Sequence, residues 1–264
     1  MKIGIIGAMD EELIPIRAIL NNLEKLEKGK RTFWHGEDYG NQIFLTRCDP
    51  GKVNAVIATQ QMIDLFEVDA IFNMGSSGAL APELEVGDLV VASEFIQHDY
   101  DVTDWGLKPG ELLFDILMSN ETGQMQFRSQ QIFKSHPGLT QLAVEIAKTT
   151  ELTSLGGHSP KIFSGRILSG DQFIGKPEKA RELWNTHHGL CTDMKPPPSP
   201  ILAKSIRCRS CASAPFLIKL TTLPSFPSPT FWWEQLPITA RSSSAFSKHF
   251  QAACKLNFQY SSGV

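Results

Sequence analysis

The chain has 264 residues, of which 42% are hydrophobic and 20% are charged, and its formal net charge is −3. These values exclude an intrinsically disordered acidic chain and, averaged over the whole chain, a strongly basic nucleic-acid-binding protein. No apolar run approaches the roughly 18 residues of a membrane span, and the N-terminus lacks the features of a signal peptide, so we expect no membrane partner.

The predicted elements of the first half alternate between strands and helices. Residues 3–7 form an apolar run flanked by turn residues and are expected to be a buried strand. Three acids at 10–12, followed by apolar residues at helical spacing, predict a helix with an acidic first turn. The further elements predicted up to residue 93 are a hairpin of strands at 32–35 and 43–47, a helix at 53–66, and strands at 70–74 and 88–93.

The second half continues this alternation as far as residue 194. Residues 106–137 show no clear period and are interpreted as a long loop or an insertion with a short helix. After them we predict a helix at 139–149, a strand at 160–168 and a helix at 177–185. Strands that alternate with helices favour an α/β fold for residues 1–194, in which helices cover both faces of a sheet.

The composition changes abruptly after residue 194. Residues 195–264 contain eight basic residues and a single acid, Glu234, so this tail carries a formal charge of +7 and the preceding body one of −10. The tail also holds nine of the 16 prolines, and its proline clusters at 196–200 and 224–229 oppose both helices and central strands. We therefore treat residues 195–264 as a separate, basic and Pro/Ser-rich tail.

Ligands of open α/β sheets bind beyond the carboxyl ends of the strands, and three loops of the body lie at such ends. The first, residues 7–12, carries three acids that could supply a general base, although helix capping is the commoner role of such acids. The second, residues 73–78, is built of small residues that let the backbone approach a ligand, or that simply form a turn. The third, residues 168–174, contains Phe173, which can either stack on a planar base or join the core.

The remaining motifs indicate little chemistry. Cys208 and Cys211 have the spacing of half a zinc site, but no second pair completes it, so no metal is expected. The histidines in 98–101 and 187–188 are interpreted as parts of solvated turns. Five cysteines are an odd number, which favours a reducing, cytoplasmic location over a disulfide framework. The glycines near the N-terminus lack the spacing of a dinucleotide fingerprint, and no serine-hydrolase elbow is present.

Seven sequence blocks, taken in order, resemble the bacterial 5′-methylthioadenosine/S-adenosylhomocysteine nucleosidases. The blocks are MKIGIIGAMDEE (1–12), GKVN (51–54), NMGSSGALAP (73–82), VGDLVV (86–91), HDYDVT (98–103), SGDQFI (169–174) and TDM (192–194). The resemblance covers about residues 1–105 and 138–194, whereas residues 106–137 look longer than the family's usual connection. It implies the three-layer nucleoside phosphorylase fold, usually assembled as a homodimer.

The same resemblance implies hydrolysis of the N-glycosidic bond between adenine and a 5′-thio-substituted ribose. The partner would be this adenine thionucleoside, with no metal or organic cofactor, and Glu12 would be the base that activates the attacking water. The substrate-binding residues implied in this way are Met9 beside the base, Ser76 and Gly78 in the nucleoside pocket, Phe173 stacked on adenine, Ile174 contacting adenine through its backbone, Met194 against the ribose, and Trp105 reaching into the 5′-thio pocket of a neighbouring subunit.

The chain departs from this family directly after Met194. The family has a glutamate there that binds the ribose hydroxyls, whereas this chain has Lys195, and the tail contains no aspartate to match the family's purine proton donor. Adding one base after a codon for Met194 converts one possible coding sequence into Met-Glu-Ala-Ala-Ala-Ile-Ala-His, the helix expected for the family. We therefore hypothesise that residues 195–264 are translated out of frame, with a genuinely divergent tail as the alternative.

Other functions compete with hydrolysis. A homologue without the glutamate and the aspartate would be catalytically impaired, or would only bind adenine nucleosides. A purine nucleoside phosphorylase would need an anion site, for which Arg47 and Lys52 are the bases nearest the glycine-rich loop. Nucleic-acid binding by the tail is not expected, because its charges are scattered rather than patterned on a helix.

Overall fold

The strands assemble into two large β-sheets, against which the helices pack, and a separate two-stranded sheet. The computed structural model describes residues 1–118, 125–150, 152, 158–195 and 210–213. The helices are α1 (Asp10–Arg17), α2 (Lys52–Phe66), α3 (Pro137–Thr149) and α4 (Pro177–His187), with a 3-10 turn at Thr103–Trp105. The strands are β1 (Lys2–Gly7), β2 (Asn21–Lys28), β3 (Arg31–Asp38), β4 (Asn41–Arg47), β5 (Ala70–Asn73), β6 (Gly78–Ala79), β7 (Leu89–Gln97), β8 (Leu112–Met118), β9 (Met125–Gln130), β10 (Phe133–Lys134), β11 (Ile162–Ser169), β12 (Cys191–Asp193) and β13 (Ser210–Ser213).

The first sheet has the strand order β13-β5-β1-β4-β3-β2. Its centre is parallel, since β1 pairs with both β4 and β5 in that sense, and the hairpin β3–β4 follows with antiparallel pairing. Side chains alternate across the sheet, so Ile3 and Ile5 join a cluster with Leu13 of α1, while Ile6 packs in another cluster with Met62 of α2. Helices therefore cover both faces of this sheet, which confirms the predicted α/β class.

The second sheet has the order β10-β7-β11-β12-β6 and is parallel across β7, β11 and β12. Neighbouring residues of β11 again belong to different clusters. Ile167 packs with Val90, and Leu168 packs with Ile96 and with Leu183 of α4. The carboxyl ends of β11 and β12 are thereby held on a rigid support, and the site loops leave from these ends.

Several regions differ from the sequence prediction. The short helix expected within residues 106–137 is wrong for the part that the structure describes, which lacks 119–124: β8 and β9 form an antiparallel hairpin, and β10 pairs with β7. The strand β2 and the short strands β6, β12 and β13 were not expected either. The other predicted helices and strands are confirmed, with bounds shifted by a few residues.

Four residues of the tail extend the first sheet. In β13, Ser210 pairs with Ala70 and Ser213 with Asn73, both in parallel register with β5. The proline clusters at 196–200 and 224–229, together with Cys208, lie outside the described residues. Within the residues that are described, no helix combines the length and apolar character needed to cross a bilayer.

Candidate active site

The carboxyl ends of four parallel strands from the two sheets bring the predicted loops together. Glu12 lies in α1 just after β1, and Ser76 follows β5. From the second sheet, β11 leads to the loop with Phe173, and β12 ends beside Lys195. The side-chain amide of Asn73 donates to the Lys195 carbonyl over 2.8 Å, which joins the ends of β5 and β12 directly.

Glu12 is a buried carboxylate that receives hydrogen bonds from two loops. Its Oε2 accepts from the backbone N–H groups of Ala8 at 2.6 Å and Met9 at 3.3 Å, as a helix-capping acid would. Its Oε1 accepts from the backbone N–H of Ser76 at 3.0 Å and from the Ser76 hydroxyl at 3.2 Å. One side chain thus both caps the helix and contacts the second predicted site loop.

Lys195 forms a buried ion pair with Glu12. Its Nζ lies 3.4 Å from both carboxylate oxygens, and the Lys195 and Glu12 side chains are only 5% and 7% exposed. Gly75 lies against this pair with a φ of +155°, and a Cβ there would approach Lys195 Nζ to 2.4 Å and Glu12 Oε1 to 2.5 Å. The ammonium therefore fills space directly in front of the carboxylate, in a loop that only glycine permits.

Asp193 adds a second buried carboxyl beside this pair. Its Oδ1 accepts from the Ser169 hydroxyl and from the backbone N–H of Lys195, while its Oδ2 has no hydrogen-bond partner among the described residues. Burial raises the pKa of Asp193 to about 6, against the lowering influence of Lys195. The end of β12 therefore holds an acid that the sequence analysis did not single out on its own.

The other predicted residues lie on the strands and loops that follow β5, β11 and β12. Gly78 opens β6 and pairs with Thr192 of β12, and the carbonyl of Met194 accepts from the Gly51 N–H at 2.9 Å. Ile174 packs against the apolar cluster on α4, whereas Phe173 is 58% exposed on the same loop. These placements leave Phe173, and not its neighbour, on the accessible side of the loop.

Trp105 lies at the end of the 3-10 turn. It is exposed, and its ring stacks on Phe127 of the β8–β9 hairpin with centroids 6.0 Å apart. The contacts that the structure gives this side chain are thus with the hairpin that replaced the predicted short helix.

The segment 98–101 contains the predicted turn and Asp101 is exposed, but it is wrong that the turn is solvated throughout. The Asp99 side chain is only 9% exposed and bonds to Lys52, and burial lowers the pKa of His98 to about 4. The companion prediction for 187–188 is also wrong at His187, which is buried. Both errors have one cause, since these residues contact chain segments far away in the sequence.

Neither a metal centre nor an unpaired anion site emerges from the described part of the chain. No group of three or more His, Cys, Asp or Glu side chains is arranged there to hold a metal ion. Arg47 is paired with Asp10 and Asp49, and Lys52 with Asp99, so carboxylates already neutralise both bases considered for a phosphate site.

Comparison with known proteins gives a consistent picture. The sequence model of the Phosphorylase superfamily matches residues 2–195. The 5′-methylthioadenosine/S-adenosylhomocysteine nucleosidase of Tolumonas auensis is 31% identical over 254 residues, which cover 93% of this chain and 96% of that protein. The protein of the same name from Pseudoalteromonas translucida is 37% identical over 190 residues, covering 70% of this chain and 72% of the relative.

A solved structure agrees at the level of the fold. The crystal structure of the Campylobacter jejuni 5′-methylthioadenosine/S-adenosyl homocysteine nucleosidase superposes with a TM-score of 0.72 at 24% identity, covering 96% of this chain and 98% of that one. The two-sheet arrangement and its covering helices therefore match a known nucleosidase fold.

Proposed function

Because this chain belongs to the Phosphorylase superfamily and, within it, to the 5′-methylthioadenosine/S-adenosylhomocysteine nucleosidases, we propose that it is an N-glycosidic-bond hydrolase. The substrates are 5′-methylthioadenosine and S-adenosylhomocysteine, and the product is adenine. This chemistry places the chain in methionine salvage and the activated methyl cycle. Its residues act without a metal or an organic cofactor, in the cytoplasm.

The observation that carries this proposal is the buried Glu12 carboxylate held by Ser76. Cleavage builds positive charge on the ribose and negative charge on the departing adenine, so a fixed carboxylate on one side can orient and deprotonate water. The two hydrogen bonds from Ser76 fix Oε1, and those from Ala8 and Met9 fix Oε2. These hydrogen bonds support the proposed role of Glu12 as the general base, with Met9 at its side.

The adenine and ribose subsites follow from the surrounding loops. The exposed ring of Phe173 stacks on adenine, and the Ile174 backbone contacts the base. Gly78 and Met194, at the ends of β6 and β12, line the sugar. Exposure of Phe173 and the short distance from Glu12 to Ser76 support this assignment.

A second candidate, a homologue that binds the nucleoside without turning it over, is favoured by Lys195. Its ammonium contacts both oxygens of Glu12, which water would need to approach. It also stands where the family has the ribose-binding glutamate. The strand β13 runs beside β5 and ends at Ser213, which Ala214 follows, whereas the family's strand ends in a Ser-Asp pair with the proton donor.

Adenine release separates these candidates. The chain is incubated with methylthioadenosine in phosphate-free buffer, and Glu12→Gln is compared with Glu11→Gln, a change of the neighbouring acid. Hydrolysis predicts adenine release that Glu12→Gln lowers by about 10²–10⁴-fold while Glu11→Gln leaves it within a few fold. Equal rates for Glu12→Gln and the parent chain reject Glu12 as the base. Binding without release establishes the impaired homologue, and a requirement for phosphate establishes a phosphorylase.

We also propose that two copies assemble, with Trp105 reaching the 5′-thio pocket of the other copy. Two features support this: Trp105 is exposed, and Val53 and Ile57, one turn apart on α2, form an exposed apolar face. Sedimentation velocity tests it, since Val53→Lys on this face is expected to convert a dimer into a monomer. A parent chain that sediments as a monomer at micromolar concentration contradicts the assembly.

A further inference from the structure

Three charged residues from three distant loops form one network beside the candidate site. Lys52 Nζ lies 2.6 Å from Asp99 Oδ1, and the other oxygen of Asp99 accepts from the backbone N–H of Asp171 at 2.7 Å. The Asp171 carboxylate in turn accepts from the backbone N–H of Lys52 at 2.7 Å. Each residue is thus bonded to both others, and we call this set the Lys52–Asp99–Asp171 triad.

The triad bridges the two sheets. Lys52 starts α2, which follows β4 of the first sheet, while Asp99 and Asp171 follow β7 and β11 of the second. Glu12 and Ser76 follow β1 and β5 of the first sheet, and Phe173 lies two residues beyond Asp171 in the loop after β11 of the second. The triad therefore connects the half of the site that holds the carboxylate with the half that carries the exposed aromatic ring.

Local geometry shows that this approach of the loops is built into the chain. A Cβ on Gly170 would lie 2.4 Å from His98 Nε2 and 2.9 Å from Asp99 Cγ, so only glycine lets the loop after β11 lie this close to the loop after β7. The N-cap residue of α2, Gly51, offers no side-chain cap, and Asp171 supplies the missing acceptor and negative charge from 119 residues away.

The ion pair of the triad is largely shielded from solvent. The Lys52 and Asp99 side chains are 20% and 9% exposed, so their ion pair is only partly screened by solvent. The Lys52 ammonium and the Asp171 N–H hold the pKa of Asp99 below its ordinary value despite burial, and the carboxylate therefore stays charged at neutral pH.

Resting on the proposed function, we infer that Lys52 and Asp99 are positioning residues, which fix the loop 170–174 so that the Phe173 ring lies over the adenine. They touch no reacting atom in this role. Their effect passes through Asp171 to Phe173, two residues along the loop. Loss of the triad is expected to weaken adenine binding because the Phe173 ring is no longer held in position. It is expected to leave Glu12 and Ser76 in place.

A double-mutant cycle measures this coupling. Adenine is titrated calorimetrically into the parent chain, Lys52→Met, Phe173→Ala and the double variant. Because stacking of a base on an aromatic ring contributes substantially to affinity, Phe173→Ala and Lys52→Met are each expected to raise the Kd about tenfold. In the Phe173→Ala background, the further effect of Lys52→Met is expected to fall below about twofold, since its target ring is absent.

Additional variants keep the inference testable if Lys52→Met unfolds. Asp171→Ala removes the exposed end of the triad and is expected to raise the Kd in the same way, and Lys52→Arg, which keeps the charge, is expected to restore most of the affinity. Lys179→Met, which breaks a surface pair with Glu182, is the matched control and is expected to leave the Kd unchanged.

The outcomes distinguish the positioning role of the triad from the adenine-binding role of Phe173. If Phe173→Ala weakens binding but Lys52→Met and Asp171→Ala in folded protein do not, the positioning role is overturned and the proposed function stands. Equal effects of Lys52→Met with and without Phe173 also overturn it, because the triad then acts only on general stability. If the parent chain does not bind adenine, or if Phe173→Ala has no effect, the adenine assignment itself fails, and this inference fails with it.

Discussion

Glu12 and Lys195 share one buried ion pair, but they depend on it unequally. The Glu12 carboxylate also accepts from Ala8, Met9 and Ser76, whereas the acceptors of Lys195 Nζ among the described residues are the two oxygens of Glu12. Removing Glu12 leaves an unpaired buried ammonium, while removing Lys195 leaves a carboxylate that keeps its other donors.

The expected result is an asymmetry in stability. Glu12→Gln is expected to lower the free energy of unfolding by about 3–5 kcal/mol, and Lys195→Met, similar in volume, by less than about 1.5 kcal/mol. Urea titration followed by circular dichroism measures both. The double variant is expected to recover most of the loss of Glu12→Gln. Equal losses of unfolding free energy in the two single variants would show that both residues depend on the pair equally, contrary to their unequal hydrogen bonding.

A second residue-scale prediction concerns acid sensitivity. Burial lowers the pKa of His98 to about 4, against the raising effect of Asp99, whereas an unfolded histidine titrates near 6.5. Between these values the unfolded chain binds more protons, so the contribution of His98 to stability is lost as the pH falls from about 6.5 to 4. Asp193 has the opposite effect. Because its pKa is raised in the folded chain, its contribution to stability is lost as the pH rises from about 4 to 6.

Unfolding of the parent chain and of His98→Gln at pH 7.5 and pH 5 isolates the histidine, since the Asp193 contribution is common to both. The stability lost between these pH values is expected to be about 2 kcal/mol smaller in His98→Gln. A parent and variant with the same pH dependence would mean that His98 titrates normally in the folded protein.

At the residue scale, sequence patterns identify local chemistry and miss distant partners. The acid-rich turn with Glu12 and the small-residue loop with Ser76 were recognisable because strands and turns surround them. The partners of Lys52 are 47 and 119 residues away, and Lys195 is 183 residues from Glu12. Nothing in periodicity or spacing connects such residues, so the ion pair and the triad appear only in the folded chain.

At the scale of elements, the longer buried segments were predictable, whereas exposed or very short ones, such as the three-residue β12, were not. β1 and β5 are covered on both faces and read as short apolar runs. β2 is exposed at nearly every position and lies at the edge of its sheet, so it has no apolar alternation to recognise. The β8–β9 hairpin is stabilised by pairing with itself and by its contact with Trp105, neither of which leaves a period in the sequence.

Helix α2 allows this reasoning to be tested. Met62 is fully buried between α2 and the first sheet, whereas Leu65, on the same helix, is 47% exposed. Met62→Ala is expected to cost about 2–5 kcal/mol of stability, because it leaves a cavity, and the matched control Leu65→Ala less than about 0.5 kcal/mol. Guanidinium titration measures the free energy of unfolding of the parent and both variants, which are compared provided that their m-values are equal. If Leu65→Ala cost as much stability as Met62→Ala, the exposed face of α2 would have to contact another molecule.

At the scale of the whole molecule, the body and the tail follow different rules. The superfamily match ends at residue 195, one residue after Met194, whereas the alignment with the Tolumonas auensis relative covers 93% of the chain and so continues into the tail. The body is acidic and rich in glycine, while the tail has a formal charge of +7 and contains no aspartate. We propose that residues 1–194 are the nucleosidase-like domain, with 106–137 as an insertion, and that residues 195–264 are translated from another reading frame.

This proposal predicts a specific feature of the gene. The DNA after the Met194 codon is expected to open, on addition of one base, a frame that begins Met-Glu-Ala-Ala-Ala-Ile-Ala-His and later encodes a Ser-Asp pair. The first change replaces Lys195 by the glutamate that binds ribose in the family, and the second restores the missing proton donor. If no one-base change near this codon opens such a frame, the tail is a genuine divergent sequence.

The protein encoded by the restored frame is also expected to differ from the present chain in activity. Its glutamate at position 195 no longer neutralises Glu12, and its added helix and aspartate complete the half of the site that the present chain lacks. It is expected to release adenine from methylthioadenosine at least about 10²-fold faster than the present chain, the effect typical of supplying one general acid. Equal adenine release by the two proteins would show that Lys195 and the tail do not limit the reaction, and that the half-site around Glu12 and Ser76 is sufficient by itself.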